Sequence, residues 1–147
     1  MALGDPGRSV LRSAKVPLAG RRILIAEDES FIAFELAAML EQLGCLVVGP
    51  VSRVEEVLPH AVEGRCDGAL LDVNLRGQLI FEIMPGLQAL RLPLIITSGY
   101  QDISFFPEKF RTLPRIGKPV DERELRRACE QVFGNPLSDG GPGRLDL

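Results

Sequence analysis

The chain predicts an α/β protein built on a parallel sheet, on two observations. Short apolar runs alternate with helical patterns from Arg21 to Phe133, which is how successive βαβ units appear in a sequence. Four of those runs end on polar residues of complementary chemistry. Ile23-Leu24-Ile25-Ala26 leads into Glu27-Asp28-Glu29, Ala69-Leu70-Leu71 into Asp72, Leu94-Ile95-Ile96 into Thr97, and Ile116-Gly117 into Lys118. If the runs are parallel strands, these groups gather at the carboxyl edge of one sheet, where open α/β folds carry out their chemistry. A length of 147 residues with 46% hydrophobic content suits one domain with a real core.

Residues 1–20 mix Gly, Pro, Ser and Arg without periodicity and read as a flexible N-terminal tail. The first strand runs from Arg22 to the acidic trio. Ser30 is a fair N-cap for the first helix, which should bury Phe31, Phe34, Leu36, Leu40 and Leu43 before Gly44 stops it. Cys45 to Val48 reads as the second strand. Ser52-Arg53-Val54-Glu55 has capping-box spacing and opens a second helix, which Pro59 shortens or kinks. The third and fourth strands close on Asp72 and Thr97. Between Gly99 and Pro114 there are two prolines and no clean helical period, so no regular helix is expected there. A stretch of that length in a compact domain is usually functional. After the fifth strand, Asp121-Glu122-Arg123-Glu124 starts a last helix with Leu125, Ala128, Cys129 and Val132 on one stripe, ended by Gly134. The natural count is five strand–helix units over residues 21–133. Residues 134–147, rich in Gly and Pro, read as a C-terminal tail.

Composition removes several function classes. Seventeen basic and twenty acidic residues are mixed along the chain, net charge −3, leaving no basic footprint for nucleic acid or an anionic membrane. No apolar stretch is long enough to span a bilayer. Asp5, Pro6, Arg8, Arg12 and Lys15 interrupt the N-terminus, so no signal peptide is expected. Cys45, Cys66 and Cys129 lack metal spacing and cannot all pair, which points to the reduced cytoplasm.

The strand-end residues suit a metal-assisted phosphoryl acceptor. An aspartate can attack phosphorus and become an acyl phosphate, as Asp72 is placed to do. Repulsion between two anions is relieved by a hard divalent cation, for which Glu27, Asp28 and Asp72 are the available ligands. Lys118 supplies a mobile positive charge for a phosphate oxygen and the Thr97 hydroxyl a further donor. Each signal has a plainer reading. Glu-Asp-Glu can be a solvated turn ahead of a helix, Asp72 a turn residue, and Thr97 a strand-end hydroxyl. Their occurrence at successive strand ends favours the site.

With these residues in this order, the chain resembles a response-regulator receiver domain of two-component signalling. The resemblance implies a doubly wound, flavodoxin-like (βα)5 fold with strand order 2-1-3-4-5. It implies that Asp72 is phosphorylated from a histidine kinase or phosphotransfer protein. Mg²⁺ would be held by Glu27, Asp28, Asp72 and the backbone carbonyl of Asn74, with Thr97 and Lys118 completing the site and a cis bond between Lys118 and Pro119. Leu71-Asp72-Val73-Asn74-Leu75 together with Thr97-Ser98-Gly99-Tyr100 is similar to the subgroup marked by Phe-Ala-Thr-Gly-(variable)-Tyr, whose members have a short or irregular fourth helix. Ile95-Ile96 replaces Phe-Ala, and Ser98 stands between Thr and Gly. Arg115 occupies the place of the usual aromatic switch residue, and Tyr100 is the alternative.

The output expected is a protein contact by a stand-alone switch that is not an enzyme, with residues 99–114 as the moving part. Phe105 and Phe106 would then be a docking surface; together with Phe110 they could equally plug the core. His60, the single histidine, lies far from the site and is not expected to carry phosphate. A phosphorylation-independent pseudo-receiver is one alternative. A haloacid-dehalogenase-type phosphatase is another, disfavoured because position 74 is Asn and the acid pair precedes the nucleophile.

Overall fold

The computed structural model describes residues 18–62, 64–99, 104 and 106–134. Both expected tails, apart from Leu18–Gly20 and Gly134, lie outside these residues, as do Tyr100 and Phe105. Five parallel strands, β1 (Arg22–Ala26), β2 (Leu46–Val51), β3 (Gly68–Asp72), β4 (Leu94–Ser98) and β5 (Arg115–Gly117), form one sheet in the order β2-β1-β3-β4-β5. This is the 2-1-3-4-5 order expected. Among the described residues four α-helices accompany it: α1 (Ser30–Gln42), α2 (Val54–Ala61), α3 (Met84–Ala89) and α4 (Glu122–Val132).

Alternation along the strands feeds two cores. Ile23, Ile25, Leu70, Ile95 and Ile116 pack with Leu36 and Leu40 of α1 and Leu125 and Cys129 of α4. Leu24, Ala26, Ala69, Leu71 and Ile96 face Val54 and Val57 of α2 and Met84 and Leu87 of α3. Both faces of the sheet are therefore covered, which is why β3 and β4 read as continuous apolar runs. At the start of β3 the backbone meets the end of α4. A Cβ on Gly68 would lie 2.5 Å from two ring atoms of Phe133, so the glycine makes room for that ring.

Three local expectations are corrected. Phe31 and Phe34 are 69% and 71% exposed, while Ala33, Leu36 and Leu40 are buried. At about 100° per residue, the face centred on those three turns Phe31 and Phe34 away from the sheet. The N-cap of α1 is Glu29, not Ser30. β2 starts one residue later than expected and runs on to Val51, with Gly49 at φ +88° and a register irregularity between Leu24 and Ala26.

Helix ends follow the sequence more closely. α1 closes with Cys45 N–H to Leu40 O and Gly44 N–H to Glu41 O, both 3.0 Å, the paired bonds of a glycine-ended helix. α2 contains Pro59 and spans eight residues, but its capping box is one residue later than expected: the N-cap is Arg53, not Ser52, and Glu56, not Glu55, accepts from the N–H groups of Ser52 and Arg53 at 3.0 and 3.1 Å. Asp121 caps α4 by accepting from Arg123 and Glu124 N–H.

Between β4 and β5 the described residues hold 3₁₀ structure, at Ser104 and over Glu108–Phe110, and no α-helix. Phe106 and Phe110 are buried, each 4% exposed, so the plug reading holds for those two. Phe81 touches both, edge-on to Phe106 with centroids 5.0 Å apart and stacked on Phe110 at 5.5 Å. No helix among the described residues is long and apolar enough to cross a membrane.

Candidate functional site

At the carboxyl edge, β1, β3, β4 and β5 deliver Glu27, Asp72, Thr97 and Lys118 to neighbouring positions. Asp72 and Thr97 are register partners in the β3–β4 ladder. Lys118 follows β5, its N–H donating to Ser98 O at 2.9 Å, and its bond to Pro119 is cis. The Lys118 Nζ lies 2.7 Å from Asp72 Oδ2 and 3.1 Å from Glu27 Oε1. Glu27, Asp28 and Asp72 each place a carboxylate oxygen within 4.8 Å of the others. The sequence-predicted acids and lysine thus converge on one spot.

Burial sets the electrostatics. Glu27 is 2% exposed and Asp72 4%. Desolvation, aided by the charge of Asp72, pushes the Glu27 carboxyl up to about 7, although the Glu29 N–H and Lys118 pull against it. Burial likewise raises Asp72, held back chiefly by the hydrogen bond from Lys118. Burial works against the Lys118 charge, but Asp72 and Glu27 outweigh it and raise that group. Two carboxylates sharing one ammonium leave an excess of negative charge in a poorly solvated place, which a divalent cation would neutralise.

Backbone amides aim the carboxylates. Glu29 N–H donates to Glu27 Oε2 at 3.0 Å, and Asn74 N–H to Asp72 Oδ1 at 3.1 Å. Glu29 itself is exposed. Among the described residues, the buried hydroxyls without a hydrogen-bond partner are Thr97 Oγ1 and Ser98 Oγ, while Glu27 Oε1 has only the Lys118 ammonium it shares with Asp72. All three oxygens sit at this edge. A buried polar group left unpaired is costly, so two idle hydroxyls beside two carboxylates on one ammonium form a site prepared for a ligand. The oxygen-only donor set suits a hard cation such as Mg²⁺. An open groove of about 570 Å³ reaches the acids past Phe34 and Arg76.

Three participants escaped the sequence reading. Ser98 is as buried as Thr97, 1% each, and equally unpartnered. Alternation along β4 puts Thr97 with Ile95 on the α1–α4 side and Ser98 with Ile96 on the α2–α3 side, so two hydroxyls flank the edge. The adjacent Thr-Ser was the available signal. Arg76 and Gly77 form the turn of a small hairpin, Asn74–Leu75 against Gln78–Leu79, and the Arg76 N–H donates to Asp28 Oδ2 at 2.8 Å. Arg115 is exposed, its guanidinium 5.7 Å from the Phe106 ring centroid.

No protein-family model matches the sequence, and no curated protein sequence does. Solved structures do. The signal receiver domain of a modulated diguanylate cyclase from Desulfovibrio desulfuricans G20 is 31% identical, with a TM-score of 0.71 over 82% of this chain and 99% of that one. The BeF3-activated conformation of SdrG from Pseudomonas melonis Fr1 is 36% identical, with a TM-score of 0.65 over 75% of this chain and 93% of that one. The receiver domain of sensor histidine kinase PA1611 from Pseudomonas aeruginosa PAO1, with a magnesium ion in its active-site cleft, shares the fold at 24% identity, TM-score 0.68, over 79% and 99% of the two chains. Strand order, the edge-on cluster of acids with Lys118, and identity above 30% across nearly entire receiver domains lead to one conclusion: this chain belongs to the receiver-domain family of response regulators.

Proposed function

We propose that the chain is a phosphoacceptor switch, taking a phosphoryl group onto Asp72 from the phosphohistidine of a histidine kinase or phosphotransfer protein and signalling through protein contact. The observation that carries this is the convergence of Asp72 with Lys118 Nζ at 2.7 Å and with Glu27 and Asp28 within 4.8 Å. An Asp72 oxygen forms the new P–O bond as the P–N bond to the donor imidazole breaks. Lys118, hydrogen-bonded to Asp72 at 2.7 Å, redirects an N–H donor of its ammonium to a phosphoryl oxygen and keeps its charge. The unpartnered Thr97 hydroxyl donates to another.

Glu27, Asp28, Asp72 and the Asn74 carbonyl would hold Mg²⁺, which neutralises the approaching anions when bound. The Asn74 assignment is supported by its backbone being tied to the site, its N–H bonded to Asp72 and its side-chain oxygen to Gly77 N–H at 2.8 Å. Resemblance to the Phe-Ala-Thr-Gly-(variable)-Tyr subgroup is supported by the 3₁₀ turn that stands where a fourth helix would lie. Arg115 over Phe106 supports that residue as the switch position, with Tyr100 as its alternative. Three buried, unpaired cysteines support a reducing, cytoplasmic setting.

The test is incubation with Mg²⁺ and acetyl phosphate. Intact mass should rise by one phosphoryl group, and Asp72→Asn should abolish the rise. Modification that persists in that variant refutes the acceptor assignment.

A further inference from the structure

We propose that the Asn74–Leu79 hairpin is a positioning element for the metal site, fixing two of its carboxylates from one turn. This rests on the acidic cluster being the Mg²⁺ site and goes on to say what holds it in shape. Asn74 N–H donates to Asp72 Oδ1 at 3.1 Å, and two residues later Arg76 N–H donates to Asp28 Oδ2 at 2.8 Å. Among the described residues, that second bond is the only hydrogen bond the Asp28 carboxylate receives. Asp28 is also the half-buried acid of the trio, so without it the side chain would be free to rotate into solvent. The two strands thus contribute acids that a third segment aligns.

The turn is built to make that alignment. Arg76 has φ +56° and Gly77 φ +86°, so both central residues are left-handed, the arrangement of a type I′ hairpin turn. An arginine in that region is unusual, and here it accompanies an amide directed at Asp28. Gly77 N–H closes the turn onto Asn74 Oδ1 at 2.8 Å, and Ile80 N–H ties its base to Val73 O at 2.9 Å. The Arg76 guanidinium reaches Ser52 Oγ at 3.4 Å, leaning the hairpin against the loop after β2. Conformation at residues 76 and 77 therefore sets the positions of oxygens on β1 and β3.

Gly77→Val tests this, because a Cβ at Gly77 meets nothing within 4 Å and acts through the left-handed backbone alone. Gly64 is a matched control, also at φ +86° with nothing within 4 Å of its Cβ. Mg²⁺ affinity is measured by calorimetry, together with the wild-type Arg76 and Asn74 amide resonances by NMR. Gly77→Val should weaken Mg²⁺ binding about tenfold, the scale of losing an outer partner of a metal ligand. Gly64→Val should bind as wild type does, and Gly77→Asn, which tolerates a left-handed backbone, should recover most of the loss. In wild type, both amide resonances should move on adding Mg²⁺. Wild-type binding that Gly77→Val leaves intact, or that Gly64→Val weakens equally, overturns this inference alone. A wild-type chain that binds no Mg²⁺ overturns the site reading and this inference with it.

Discussion

Glu27→Gln should make the metal-free protein more stable at neutral pH while weakening its metal site. The Glu27 carboxyl is carried from 4.5 to about 7 by burial first and by the Asp72 charge, even after the help of Glu29 N–H and Lys118. Because the folded value lies above the unfolded one, the fold favours the protonated form. Stability is therefore greatest below the unfolded value and is lost as pH rises from 4.5 to about 7. At about 1.4 kcal/mol per pH unit, the loss across that window amounts to about 3 kcal/mol. Glutamine has the shape of the neutral acid, so the variant should not pay that cost. Denaturant midpoints in EDTA at about pH 5 and about pH 8 should show wild type and variant together at the lower pH, and the variant ahead by up to about 3 kcal/mol at the higher. Added Mg²⁺ should then stabilise wild type more than the variant, which lacks one proposed ligand. Parallel profiles for the two proteins, or wild type ahead at the higher pH, would show that pairing with Lys118 outweighs burial and that Glu27 is an ordinary carboxylate.

Gly68→Ala should cost about 1–3 kcal/mol through overpacking against Phe133, and Phe133→Leu in the same chain should recover part of it; additive losses in denaturant midpoints would place the clash elsewhere. Thr97→Val and Ser98→Ala each remove a buried hydroxyl without a partner, so neither should lower stability. Thr97→Val should slow acetyl-phosphate uptake; slowing by Ser98→Ala instead would assign the donor to the other face of β4. Asp67 is held below the usual carboxylate value by its hydrogen bond from Arg22. Asp67→Asn should thus lose stability near neutral pH and converge with wild type once acid has carried Asp67 through its lowered folded value, as urea titrations at the two extremes would read.

The features that carry the fold were written in runs long enough to show a period. Four apolar strands ending on Glu27, Asp72, Thr97 and Lys118 specify the edge because strand ends in a parallel sheet share one side, whatever the intervening helices do. The face of α1 was not legible, since Phe31, Ile32, Ala33, Phe34, Leu36, Ala37, Met39 and Leu40 offer more apolar positions than one stripe can hold. Only packing against Ile23 and Ile25 selects among them. The end of β2 was hidden because Gly49-Pro50 reads as a terminator, whereas Gly49 at φ +88° lets the chain carry on to Val51. The hairpin after Asp72 has strands of two residues each, too short for alternation to register. Its trace was the Arg76-Gly77 pair alone.

The distribution of cost in this molecule argues for function independently of family membership. Away from the edge the chain largely satisfies itself: an Asp121-capped α4, a glycine-closed α1, two apolar cores and Arg22 engaged by Asp67 and the Gly64 carbonyl. At the edge the rules fail together. Two buried hydroxyls lack partners, two buried carboxyls raised by desolvation share one ammonium, and Arg76 adopts a left-handed backbone. A left-handed non-glycine backbone also occurs away from the edge, at Arg91 (φ +58°), but among the described residues the unpartnered hydroxyls and the raised carboxyls are confined to it. On the proposed function a ligand would relieve the costs gathered there: a cation would settle the carboxylates, and a phosphoryl group would give Lys118 and the idle hydroxyls something to bond. The same deficit that lowers the stability of the empty site would then be the free energy available to drive the proposed switch.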